Sequence, residues 1–113
     1  SDSFQLLSEH RMRPICDVFI RHPQYSTVSI PSLTRILKAY PTNGAVDGSN
    51  IVMQTLGGFG EKAAGAVPAL TEKALTSGGS VYREDAVAAL QVIGTVEAQA
   101  IVADYTAKKW RTY

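Results

Sequence analysis

The chain carries one cysteine, so no disulfide within it can staple the fold, and the lone thiol gives no sign of an oxidising compartment without excluding one. Charge of one sign is missing too. Eleven lysines and arginines face ten acids, a formal net charge of +1 that recommends neither nucleic acid nor an anionic membrane as a partner. No apolar run approaches the roughly 20 residues needed to span a bilayer. No signal-peptide pattern is visible, and the compartment is left open. His10, Cys16 and His22 stand six residues apart each time, a spacing that sets them on no common helical face, and no second ligand cluster completes a metal site. Cys16 reads as a small buried apolar residue and the histidines as surface or capping groups. A Cys-His nucleophile pair has no more support, since nothing local brings a base to the thiol. The sequence points to no cofactor and no catalytic group.

What is there is a chain of 113 residues, 45% hydrophobic, enough for one folded domain with a core. Its organising stretch runs from Leu56 to Gly94. Ala63, Val67, Leu70 and Ala74 step by four, three and four, which sets them on one helical face. Gly78 and Gly79 break that helix. A second begins near Val81, repeats the stepping through Ala86, Leu90 and Ile93, and meets Gly94 as a left-handed C-terminal cap.

The unit recurs. Ile30-Pro31-Ser32-Leu33-Thr34 matches Val67-Pro68-Ala69-Leu70-Thr71 at an offset of 37, and Thr55-Leu56-Gly57-Gly58-Phe59-Gly60 matches Ala89-Leu90-Gln91-Val92-Ile93-Gly94 at 34. About three extra residues therefore belong in the Pro41 to Asp47 loop of the first copy. A partial third copy follows Gly94, with Ala98 and Ile101 as counterparts of Ala64 and Val67. Paired helices at a period in the thirties mean stacked units, each unable to bury its apolar face alone.

In Ala66-Val67-Pro68-Ala69-Leu70, Arg83 and Ala89 to Gly94 the chain resembles the HEAT-like repeat family, in the short bacterial type known from phycobilisome lyases. The first copy keeps Ile30 to Leu33 and Leu56 to Gly60, and has Ser49 where the second has Arg83. Thr76-Ser77-Gly78-Gly79 replaces the acidic turn common in that family. The resemblance implies an all-α fold, a short right-handed α-solenoid of stacked antiparallel helix pairs with about five to seven helices. It divides the chain into a helical cap (1–29), two repeats (30–60 and 61–94) and a partial repeat or C-terminal cap (95–113). It also implies that Arg83 bonds backbone or acids between neighbouring units rather than a substrate. Its named relatives supply an alternative function, a bilin lyase-like or chromophore-handling role.

Local chemistry adds boundaries. Pro14 predicts a break, with one helix through about Arg11 and another starting at Pro14. Gln24 to Ser29 reads as a linker, with Ser29 or Ser32 capping a helix that bears Leu33, Ile36, Leu37 and Tyr40. Pro41 to Gly44 stops it, and a helix from about Gly48 to Leu56 follows. Gly57-Gly58-Phe59-Gly60-Glu61-Lys62 looks superficially like a phosphate loop but lacks the spacing of one; close helix packing explains its glycines better. Pro68 lies a turn or more inside its helix, where it bends the helix or marks a shift in its start. Glu84 and Asp85 suit the positive end of the helix they open.

The last helix, Val96 to Trp110, carries Val96, Ala100, Ala103, Ala107 and Trp110 as an apolar stripe, flanked by a second row of Ile101 and Tyr105. No further repeat covers it, so one row meets solvent or another molecule. Tyr105, Lys109, Trp110 and Tyr113 are the candidate partner-binding residues. Base stacking beside Lys108, Lys109 and Arg111 uses the same residue types, yet cations also belong at any helix C-terminus. Aromatic anchoring of a protein contact is the reading adopted. The expected function is a non-catalytic protein-protein interaction or scaffold module. Its partner is another protein or a further copy of the chain stacked head to tail.

Overall fold

The computed structural model describes residues 9–40, 48–76 and 80–108, and among these the protein is all-helical. Six α-helices run in order: α1 (Glu9–Arg21), α2 (Ser26–Ala39), α3 (Ser49–Gly58), α4 (Val67–Thr76), α5 (Ser80–Ile93) and α6 (Val96–Lys108). Short 3-10 segments at Pro23–Tyr25 and Gly60–Ala66 lead into α2 and α4. The helices form two rows. α1 packs on α3 and α3 on α5, while α2, α4 and α6 follow one another more loosely and cover the first row. Leu33, Leu37, Val52, Met53, Leu56, Leu70 and Leu90 make the fully buried centre, which Met12 and Cys16 close from α1. No described helix is long and apolar enough to cross a membrane.

The matched sequence segments share several local features, although Pro31 lies inside α2 and Pro68 at the start of α4. Thr34 donates its hydroxyl to the Ile30 carbonyl at 2.7 Å, and Thr71, its counterpart, donates to Val67 at 2.8 Å. Leu33 and Leu70 are both fully buried, as are Leu56 and Leu90. Gly60 and Gly94 both take the left-handed backbone, with φ of 64° and 69°. Gly94 acts as the expected cap, its amide donating to the Leu90 carbonyl at 3.1 Å. The partial third copy departs from this pattern. Ala64 is exposed whereas Ala98 is fully buried, and α6 begins at Val96 with no 3-10 lead-in.

Prolines account for the main corrections. α1 runs unbroken from Glu9 to Arg21 through Pro14, so the expected break is absent. Pro14 deprives the His10 carbonyl of its helical donor, but both residues lie at the surface, where water serves instead. In the same way α2 passes through Pro31, whose missing amide would have served exposed Thr27. α2 starts at Ser26, so residues 26–29 are helix rather than linker and the expected boundary at residue 29 falls inside it. Neither Ser29 nor Ser32 caps it; the Ser29 hydroxyl donates back to the Tyr25 carbonyl at 3.1 Å. Pro68 marks a shift in the start, the second of the two expected outcomes: α4 begins at Val67. Without its amide no α-helical bond reaches the Ala64 carbonyl, which takes a donor from Val67 instead, and the preceding turn tightens to 3-10 geometry with a non-helical Ala63.

Two buried cations finish helix ends. Arg83 of α5 donates Nε to the Ala74 carbonyl near the end of α4 at 2.9 Å, a backbone bond as expected, but within its own helix pair rather than between neighbouring units. Ser49 occupies the corresponding place in the first copy and has no such reach. There Lys73 of α4 donates instead, its Nζ bonding the carbonyl of Tyr40, the residue that closes α2. The second copy thus caps a helix of the first.

Candidate functional site

α1 and α2 meet chiefly through the Pro23–Tyr25 turn, which leaves a groove between them. Val18, Phe19, His22, Tyr25, Val28 and Ser29 line it, around a cavity of about 480 Å³. Three of the lining side chains are large, apolar and open to solvent: Val18 is 55% exposed, Tyr25 61% and Val28 66%. The α1 helix aims them. Met12 and Cys16 point into the core, so Ile15 and Val18 fall away from it, and Arg11, Ile15, Val18 and His22 form an exposed row at steps of four, three and four. His22 caps nothing with its side chain; its ring stands 6.3 Å from the Tyr25 ring, tilted by 46°.

The groove lies on a helix pair of net positive charge, although no lysine or arginine lines it. Residues 9–40 carry five cations (Arg11, Arg13, Arg21, Arg35, Lys38) against Glu9 and Asp17. Residues 48–108 carry six acids (Glu61, Glu72, Glu84, Asp85, Glu97, Asp104) against Lys62, Lys73, Arg83 and Lys108, of which Lys73 and Arg83 are buried. Among the described residues the excess charge is thus positive in α1 and α2 and negative in the rest. The exposed Asp17–Arg21 pair at 3.1 Å joins neighbours on α1 and adds little to stability.

A second cleft, of about 700 Å³, separates α1 from α3 and is lined by residues including His10, Arg13, Cys16, Asp17, Gln54 and Thr55. Cys16 lies at its floor, 2% exposed, which agrees with its reading as a buried residue. Burial pushes its thiol pKa up, and a hydrogen bond with Thr55 offsets this only in part, so the reactive thiolate is disfavoured. No group of three or more histidines, cysteines or acids could hold a metal among the described residues.

Of the four partner-binding candidates, Lys109, Trp110 and Tyr113 lie outside the described residues. Tyr105 is partly buried and packs against the core alongside Ile101, Val102 and fully buried Ala98. The row read as flanking is thus the one that docks. The stripe of Val96, Ala100, Ala103 and Ala107 faces solvent on the opposite side of α6, with Val96 86% exposed and the acids Glu97 and Asp104 along one edge. The groove between α1 and α2 was hidden in the sequence because Tyr25 and Val28 sit in a segment that reads as linker. Helical spacing of Val18 and Tyr25, carried across the His22-Pro23 stop, is the signal that would have found it.

No protein-family model, curated protein or solved structure matches this chain.

Proposed function

We propose that the protein is a non-catalytic protein-protein interaction or scaffold module whose helix pairs form a short α-solenoid of HEAT-like type. The observation that carries the reading is the solvent-open groove between α1 and α2, with Val18, Tyr25 and Val28 exposed on a basic helix pair. Clustered large apolar side chains with a polar rim mark contact surfaces, because their burial against a partner removes area from water at about 25 cal/mol per Å². The two-row packing and the doubled Thr34/Thr71 and Gly60/Gly94 geometry support the repeat architecture.

Light scattering behind size exclusion, over a wide concentration range, tests self-binding. Affinity capture with the wild type and with Val18→Glu/Val28→Glu side by side tests other proteins. Proteins held by the wild type and lost by the folded variant support the module, whereas equal retention by both and no self-association remove the groove as a binding surface. The chromophore-handling alternative meets a cleft of adequate size beside Cys16 but a thiol held protonated there. Adding free bilin and recording absorbance separates the two: a shifted spectrum favours that alternative.

A further inference from the structure

We infer that the two buried cations form a relay: the Arg83 bond to Ala74 holds the last turn of α4, and that turn holds Lys73 on Tyr40 at the end of α2. Position carries the argument. Lys73 and Ala74 are consecutive residues, so the helix end gripped by Arg83 of α5 is the one from which the Lys73 side chain leaves toward α2. Two joints thus meet in one helical turn.

α4 ends at Thr76, and the carbonyls of its last four residues, 73–76, have no donor within the helix. Arg83 satisfies one of them from outside and ties that turn to α5. Without the tie the turn opens more readily, as helix ends do. Opening carries Lys73 with it, because Lys73 belongs to the turn. The Tyr40 carbonyl, which accepts from the Lys73 Nζ, then loses that donor.

Burial sharpens the response. Tyr40, Lys73 and Arg83 are all buried. A donor lost at the surface is replaced at once by water, whereas a buried carbonyl goes unserved until the segment around it opens. Each joint is therefore either closed or open. The two bonds cross 33 and 9 residues of sequence, so the coupling runs through packed contacts rather than along one helix. An event at the start of α5 is felt at the end of α2.

Native-state hydrogen exchange on the full chain tests the relay. The amides of Leu37 to Tyr40 report the end of α2, and those of Val52 to Leu56 in α3 serve as the reference for opening of the whole fold. Lys73→Met should raise the ratio of the first rate to the second about ten-fold. Arg83→Met should raise it about three-fold or more, although the residue removed lies on α5. The double variant should show no higher ratio than Lys73→Met alone, because a relay that has lost its second joint has nothing left to pass on. Ala98→Leu on α6 alters neither bond, and it should leave the ratio at its wild-type value while lowering overall stability.

An unchanged ratio in Arg83→Met overturns the relay. So does a double variant whose effect is the product of the two single effects, since the joints are then independent. An Ala98→Leu ratio that rises as far as that of Arg83→Met overturns it too, by showing a general loss of stability. Should Arg83→Met fail to fold, the wild type in urea below its unfolding transition is read instead. The amides of Leu37 to Tyr40 and those of Leu75 and Thr76 should then share one urea dependence, and separate dependences overturn the relay.

Discussion

Gly57 of α3 stands directly against Ala89 of α5: a Cβ placed on the glycine would lie 3.0 Å from the Ala89 Cα. The neighbour is backbone and cannot turn aside. At Gly58 the same atom would meet Ile20 Cδ1 at 3.1 Å, the free end of a flexible side chain. Gly57→Ala should therefore destabilise, because overpacking costs about 1 to 3 kcal/mol and outweighs the ~1 kcal/mol of helix propensity gained. Gly58→Ala should be neutral or stabilising. Urea denaturation midpoints of the two variants, compared with wild type, decide it; equal midpoints would show that α3 and α5 can part at no cost.

Lys73 and Arg83 are buried and each donates to the end of a helix, Lys73 to Tyr40 and Arg83 to Ala74. Lys73→Met and Arg83→Met keep most of the stem and remove the donor. Each should lower stability by about 1 to 3 kcal/mol, the cost of leaving a buried carbonyl without that bond. Calorimetric melting gives the loss directly. A change below the scatter of surface substitutions would mean that water replaces these donors.

Cys16 links stability to alkaline pH. Its folded pKa is raised by burial, so folding gains nothing from ionisation there. Below the ordinary thiol pKa both folded and unfolded chains hold the proton and this contribution is intact. As pH climbs through that value the unfolded chain ionises first, and stability falls until the folded pKa is passed. Wild type should lose more stability than Cys16→Ala between neutral pH and about pH 10, a range that brackets the ordinary thiol value near 8.5. Native Cys16 should also react slowly with a thiol reagent and quickly once unfolded. Rapid labelling of the native chain would contradict the buried placement.

The two sides of α6 should respond oppositely to the same change. Ala98 is fully buried, so Ala98→Leu overfills its site and should cost about 1 to 3 kcal/mol. Ala103 is exposed, and Ala103→Leu should stay within about 0.5 kcal/mol in the monomer. Reversal of that order in thermal melts would mean that α6 is rotated about its axis.

The glycines at 60 and 94 and the leucines at 33, 56, 70 and 90 were legible because local rules decide them: a positive φ favours glycine, and helical stepping puts the leucines inside. Pro14 was misjudged because the cost of a lost amide depends on whether the abandoned carbonyl meets water, and that is a tertiary fact. On α6 both rows keep helical spacing, so periodicity could not choose between them. Bulk chose: Ile101 and Tyr105 fill space against the core that alanines at 100, 103 and 107 would leave empty. Lys73 gave no sign of burial, since its partner Tyr40 lies 33 residues away. The groove depends on how α1 and α2 diverge, which no short stretch of sequence encodes.

Because Ser49 replaces the counterpart of Arg83 and Lys73 reaches back to Tyr40, the first copy of the unit borrows its closing cation from the second. Such a loan works in one direction only. A chain shortened to its first copy would lose the donor along with the helix that carries it, while the second copy keeps Arg83 as its own. The dependence runs one way: the earlier segment is closed by a cation that the later one supplies, while the later one carries its own.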